Sequence, residues 1–299
     1  MGRNVPRLRR SDSSRQGDAF VGWLTLGLAC AIVLAAIQIC WGGERTPLKT
    51  GWNLFTPEQD IQIGEQSSAR IGQQVLLLND PRVDDYLDAL GKKLASYAPG
   101  YKYPYQYRCV NDENINAFAL PGGFIYINRG VIEAADNEAQ LAGVMAHETS
   151  HVALRHGTNQ VSKAEAWRIP FGLLGATGGL GGLLAQVGAG FTLNSIVLKY
   201  SRDDEMQADV LGTQILYDAG YDPRALAQFF EKIEAESKGK QPAQFFSDHP
   251  SPGNRTERVD EEVEKLGGPE PNYQSDSDDF HSIKIYLMKL PRPPKPARK

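Results

Sequence analysis

Apolar positions recur at helical spacing in the run Leu141-Ala-Gly-Val-Met-Ala-His-Glu-Thr-Ser-His-Val-Ala-Leu-Arg-His-Gly157, which predicts a helix. Asp136 is the predicted N-cap and Glu138 complements the first turn. Arg155 and His156 fall in the expected last turn, with Gly157 as its stop. Ser201-Arg-Asp-Asp-Glu-Met-Gln-Ala-Asp-Val-Leu-Gly212 reads as another helix, with Ser201 as N-cap and Gly220 at the C-terminal cap. Thr56-Pro57-Glu58-Gln59 has the form of a helix start: Thr caps, Pro takes the first position and Gln reaches back. That helix is expected to run to about Leu78, a further one from Pro81 to about Tyr97, and one from Asp222-Pro223 through about Ser237.

A period of two replaces helical spacing upstream of the first of these helices. Ala117–Leu120 and Phe124–Asn128 read as strands around the turn Pro121-Gly122-Gly123. Residues 267–279, rich in Gly, Pro, Ser and Asp, read as a loop. Residues 291–299 form a basic proline-rich tail, read as disordered. The expected fold class is α+β, mostly helical with a small sheet, in one domain over residues 42–290.

Two runs carry no charge. Phe20 to Trp41 is long enough, at about 1.5 Å per residue, to cross an apolar bilayer core. Arg3, Arg7, Arg9, Arg10 and Arg15 precede it, so residues 1–19 are expected to stay cytoplasmic and the rest to be exported. An uncleaved signal anchor at residues 20–41 is the favoured reading, because no small-x-small cleavage site closes the run. The alternative is secretion after cleavage. The expected place is a bacterial inner membrane, single-pass, with the folded domain in the periplasm or outside; Asp12 and Asp18 weaken a mitochondrial address. The second run, Ile169 to Leu198, contains eight glycines. One crossing there would separate His151 from Glu205, and two crossings need roughly 40 residues plus a turn. The run is therefore read either as a buried, glycine-loosened helix or as a lid over the cleft.

His147-Glu148-Thr149-Ser150-His151 brings chemistry to the first helix. Residues four apart lie on one face, so His147 and His151 can present two imidazoles to one zinc ion, with Glu148 set to take a proton from water. Three of the five histidines fall between positions 147 and 156. His156 fails as third ligand, because the HExxHxxGxxH pattern needs glycine at 154 and histidine at 157, where Leu154 and Gly157 stand. Glu205 and Asp209, one turn apart on the downstream helix, offer one carboxylate for the metal and one for the free ring nitrogen of a ligand histidine.

HExxH followed by Ser-Arg-x-x-Glu-x-x-Ala-Asp resembles the gluzincin metallopeptidases that include HtpX and the CAAX prenyl endopeptidases, nearest the periplasmic BepA-like and LoiP-like branch. The resemblance covers most of residues 52–266. It includes Asn116 to Ile132 upstream of the zinc helix and Ser247-Asp-His-Pro-Ser-Pro-Gly-Asn-Arg255 downstream. It implies a zincin-type fold and one zinc ion per chain, with His147, His151 and Glu205 as ligands, Glu148 as catalytic base and Asp209 behind a ligand histidine. HtpX-like relatives carry two spans between the motifs, and this chain departs from them there.

The implied reaction is peptide hydrolysis, in which Glu148 accepts the proton of the attacking water and passes it to the leaving amine. The oxyanion needs a donor, for which His249 and Arg255 are candidates; His249 can equally act as a displaceable inhibitory ligand. The Asn116, Ala117, Phe118, Ala119 stretch is expected to be an exposed edge strand that pairs with extended peptide. That mode favours unfolded or flexible polypeptides, such as misfolded or unassembled envelope proteins. A chaperone-like or scaffolding factor with gated or minor proteolysis is the alternative. The net charge of −4 gives no case for nucleic acid. Cys109 alone lies beyond the anchor, so no disulfide forms within the exported part. No sequence feature speaks to oligomeric state.

Overall fold

A computed structural model of the chain describes residues 1, 44–168, 182, 187, 200–236, 244–250, 253–268 and 270–293. The expected anchor at 20–41 and nearly all of 169–198 lie outside the described residues. So do residues 294–299 of the tail. The chain divides after Glu44, and the elements below belong to the unit Arg45–Lys299.

Helix α1 (Pro57–Gln74) opens as its sequence predicts. Thr56 accepts from the Gln59 amide, and the Gln59 side chain accepts from the Thr56 amide. It ends four residues before the expected Leu78, because Leu77 leaves the helix to bridge Val110. Asp80 caps α2 (Pro81–Ser96) through the amides of Arg82 and Val83.

Strands β1 (Gln106–Val110), β2 (Ala117–Leu120) and β3 (Phe124–Asn128) form one sheet in the order β1-β3-β2. β3 lies at its centre, parallel to β1 and antiparallel to β2. β2 and β3 are the expected pair, turning through Gly122, whose φ of 78° suits glycine. β1 was not expected. Its outer edge is closed by α2: Asp88 accepts from the Tyr107 amide at 3.4 Å and Asp84 from the Cys109 amide at 3.1 Å. The opposite edge is β2, which lies at the edge of the sheet as expected and pairs with β3 alone among the described strands, though its side chains are largely covered. Ala117, Ala119 and Leu120 are buried and Phe118 is half-buried.

After the short α3 (Arg129–Ala134) comes α4 (Glu138–Ala153), the predicted HExxH helix. Its N-cap is Asn137, which accepts from the Gln140 amide, rather than Asp136. Every residue of α4 is buried, as befits a helix surrounded on all sides. Gly143 makes that possible: a Cβ there would lie 2.8 Å from Leu226 Cα.

The predicted C-terminal end of α4 is corrected. The helix stops at Ala153, Arg155 takes a left-handed φ of 60°, and α5 (His156–Arg168) starts anew. His156 and Gly157 therefore begin a helix rather than end one. α6 (Arg202–Asp218) starts at Ser201 in a capping box with Asp204. It ends in a Schellman motif: Gly220 N–H donates to Tyr217 and Tyr221 N–H to Leu216.

α7 (Ala225–Glu236), α8 (Gln244–Asp248), α9 (Arg255–Lys265) and α10 (Asp278–Lys289) complete the unit. The last two were not expected, and α10 shortens the loop expected over 267–279. Where the tail is described it is docked rather than loose: the Pro291 carbonyl accepts from Arg129, and Arg292 pairs with Glu133 at 2.7 Å. One core holds α2, α4, α6, α7 and one face of the sheet. A second lies under α1, around Phe55, Ile63, Ile71, Phe124 and Tyr126. The architecture is mostly helical with a small sheet. Among the described residues, no helix is long and apolar enough to cross a membrane.

Candidate metal centre

α4 and α6 pack closely along their lengths, and Gly212 sits where they meet. A Cβ at Gly212 would lie 3.4 Å from the His147 amide nitrogen. That approach brings Glu205 and Asp209 against the HExxH face. His147 Nε2 and His151 Nε2 are 3.1 Å apart, His147 Nε2 and Glu205 Oε2 are 3.3 Å apart, and His151 Nε2 and Glu205 Oε1 are 3.5 Å apart. Ligands about 2.0–2.1 Å from a tetrahedral zinc ion stand ~3.3 Å from one another. The three side chains stand close to that spacing, with Glu205 offering a different oxygen to each histidine.

His249, following α8, is the fourth member. His147, His151, Glu205 and His249 are all buried and offer ligand atoms within 4.8 Å of one another. His249 Nδ1 lies 3.0 Å from Glu205 Oε1, and its Nε2 lies 3.5 Å from Glu148 Oε1. The ring stacks on Phe245 with centroids 4.4 Å apart. α8 is tied to the start of β2: Asn116 Nδ2 donates to Asp248, and the Phe245 amide to the Ile115 carbonyl.

Glu148 is fully buried, and among the described residues neither of its oxygens has a hydrogen-bond partner, nor has Glu205 Oε2. Buried charges persist when paired or when they coordinate a metal. Burial pushes the Glu148 carboxyl up. It pushes Glu205 up as well, but the neighbouring His249 and His147 outweigh it and hold that carboxyl well below its usual range. Burial drives His151 well below the ordinary imidazole value. His147 is depressed by burial too, yet Asp209 and Glu205 raise it to about 10. Three buried imidazoles and one buried carboxylate, with Glu148 beside them, form a donor set that a divalent cation fits.

Asp209 Oδ1 lies 3.2 Å from His147 Nδ1, on the side of the ring away from His151 and Glu205. Arg255 is placed differently from the expected oxyanion donor. Its Nε donates to Asp209 Oδ2 at 2.7 Å, its Nη2 lies 3.7 Å from Glu205, and its guanidinium covers the Phe230 ring at 4.1 Å. It braces Glu205 and Asp209 of α6. Arg258, one turn on, adds a contact to Asp209 at 3.9 Å.

Of the residues expected to pair with substrate, Ala119 lines a cavity of about 10 Å³ shared with Leu120, His151 and Tyr200, so β2 adjoins His151. Sequence reasoning missed Tyr200, whose ring stacks on His151 at 3.9 Å, and Asp60, which grips Arg155 beyond the end of α4. Neither carries a local signal, since each meets the site only through tertiary folding. His156, excluded as a ligand by spacing, lies against His151 with Nδ1 atoms 3.0 Å apart; burial lowers it to about 4.

The comparisons with known proteins agree with this geometry. The chain is 29% identical over 239 residues to the beta-barrel assembly-enhancing protease of Escherichia coli (strain K12), covering 77% of this chain and 48% of that protein. It is 31% identical over 167 residues to metalloprotease LoiP of the same organism, covering 52% of this chain and 62% of that one. It is 29% identical over 178 residues to the mitochondrial metalloendopeptidase OMA1 of Schizosaccharomyces pombe, covering 59% and 52%. The chain spans about half the length of the first of these relatives. The profile of Peptidase family M48 matches residues 81–263, which include His147, Glu148, His151, Glu205, Asp209, His249 and Arg255, and the chain belongs to that family.

Proposed function

We propose that this chain is a zinc-dependent endopeptidase that hydrolyses unfolded or flexible polypeptides of the cell envelope. The observation that carries the reading is the close set of His147, His151 and Glu205, near the spacing of zinc ligands, beside a buried Glu148 whose oxygens have no hydrogen-bond partner among the described residues. Bound there, zinc supplies a Lewis acid that polarises the scissile carbonyl and makes water a nucleophile near neutral pH. Glu148 takes the proton of the attacking water and delivers it to the leaving amine; its burial and upward-shifted carboxyl suit a group that must both accept and return a proton. Asp209 orients His147, and Arg255 keeps Asp209 and Glu205 in place.

His249 stands among the ligand atoms, which favours the reversible-block reading over the oxyanion-donor one. Withdrawal of α8 would uncover the metal and the neighbouring end of β2 together, because Asn116 and Ile115 hold α8 there. In this reading residues 42–290 form the peptidase domain, and residues 20–41 anchor it in a bacterial inner membrane with residues 1–19 in the cytoplasm. The charge-free run and the five arginines before it support that placement.

The test compares wild type with Glu148→Gln on an unfolded protein such as reduced casein. Chelator-sensitive cleavage that the variant lacks is expected. Cleavage that survives both chelator and Glu148→Gln would exclude the mechanism. A cellular phenotype unchanged by Glu148→Gln would favour the scaffolding reading.

A further inference from the structure

In a continuous α-helix, residues five apart point about 140° away from each other. His151 and His156 are five apart, yet their Nδ1 atoms lie 3.0 Å from one another. The break at Arg155 does this. Its left-handed backbone ends α4 and redirects α5, so the first residue of α5 folds back under the last ligand of α4. Nothing in the proposed hydrolysis uses His156, although it is only 3% exposed.

The second ring nitrogen of His156 is buried without a hydrogen-bond partner among the described residues, and it faces Asp204 Oδ1 at 3.8 Å. Asp204 Oδ2 is occupied by the Ser201 amide, the Ser201 hydroxyl and Gln160, which leaves Oδ1 turned to the histidine. Asp204 itself immediately precedes the ligand Glu205 on α6.

We infer that His156 is a positioning residue for the metal centre. It accepts a hydrogen bond from His151 Nδ1–H and so fixes the ring through which His151 Nε2 meets the metal. An imidazole that ligates through Nε2 carries its proton on Nδ1 and must place it on an acceptor. His156 Nδ1 is that acceptor, and its own proton then sits on Nε2, toward Asp204. The two ligand histidines are thus backed by different chemistry: His147 by the carboxylate of Asp209, His151 by a second imidazole. Because Asp204 and Glu205 are adjacent, the arrangement also ties the end of α4 to the start of α6.

The inference rests on the zinc reading of the site, and the experiment separates the two. Zinc affinity of the purified full chain is measured by competition with a chromophoric chelator, without reference to cleavage. His156→Leu keeps the volume but removes the acceptor. His156→Asn restores an acceptor oxygen near the position of Nδ1. Loss of outer partners of this kind costs about 10- to 100-fold in metal affinity. His156→Leu is expected to weaken zinc binding by that factor and His156→Asn to recover most of it. If wild type binds no zinc, the metal reading fails. If wild type binds and His156→Leu binds equally well, or if Leu and Asn lose affinity alike, the positioning role is overturned. Should His156→Leu not fold, ¹⁵N spectra of the zinc-loaded wild type decide: His151 protonated at Nδ1 and His156 at Nε2 is expected, and His156 protonated at Nδ1 sinks the inference.

Discussion

Arg155 holds Asp60 with two parallel hydrogen bonds, Nε to Oδ2 at 2.6 Å and Nη2 to Oδ1 at 3.0 Å, across 95 positions of sequence. Asp60 also accepts from the Tyr103 hydroxyl at 2.8 Å, and Arg155 reaches the Phe55 carbonyl at 2.5 Å. The first turn of α1 is thereby fastened to the residue whose left-handed backbone ends the HExxH helix. Bidentate, nearly buried pairs are costly to break because the remaining charge is left uncompensated. Asp60→Ala should lower stability by about 3 kcal/mol. With Arg155→Ala in a double-mutant cycle, a coupling of ~1–3 kcal/mol is expected in urea unfolding. Additive effects of the two substitutions would show that the pair is not the fastening.

Asp209 is predicted to set metal affinity without touching the metal. Asp209→Ala should reduce zinc affinity by about 10- to 100-fold. Arg255→Ala should weaken it in the same direction, because Asp209 then loses its 2.7 Å partner. Chelator competition measures both, and unchanged affinity in Asp209→Ala would remove it from the support of His147.

His249→Ala should raise the rate of casein cleavage several-fold if the ring blocks the ligand face. A large loss of rate would assign it the oxyanion role instead. The Asn116→Ala variant, which removes one hydrogen bond between the start of β2 and Asp248 of α8, should shift activity in the same direction as a relieved block.

Metal removal should destabilise the domain. A ligand held at 100 times its Kd contributes about 2.7 kcal/mol to folding. For a domain of this size each kcal/mol moves Tm by about 2–4 °C, so chelation is expected to lower Tm by roughly 5–10 °C. A Tm indifferent to chelator would mean that the donors are not joined by a metal.

Cys109 should be chemically silent in the native protein. Burial raises its thiol well above the usual range, and the neighbouring Asp84 adds to that. The thiolate is the reactive form, so alkylation by iodoacetamide should wait for unfolding. Peptide mapping distinguishes Cys109 from Cys30 and Cys40. Rapid native labelling of Cys109 would contradict the packing of β1 against α2.

Much of this protein is written locally. The box at Thr56 and Gln59, the cap at Ser201 and the turn Pro121–Gly123 between β2 and β3 depend on residues within a few positions of one another. Short-range hydrogen bonding and backbone preference suffice to specify them. The ligand pair at 147 and 151 is legible for the same reason, since helix geometry alone puts both on one face. Glu205 and Asp209 were legible as a pair on one helix. That they meet His147 was implied by resemblance, because no local rule brings two helices together.

Tertiary structure decided the rest. β1 has a pattern that sequence reading passed over, and it becomes a strand because β3 and the carboxylates of α2 pair both of its edges. Helical period predicted a continuous helix through His156, whereas Asp60 draws Arg155 into a conformation that ends it three residues early, at Ala153. Local propensity differs little between continuing and breaking a helix there. A distant buried ion pair outweighs that small difference, and with it turns a histidine that spacing had excluded from the metal toward the back of His151. The chemistry of this chain was readable from which residues occur one turn apart; how the residues around them support it depended on contacts between segments about a hundred positions apart.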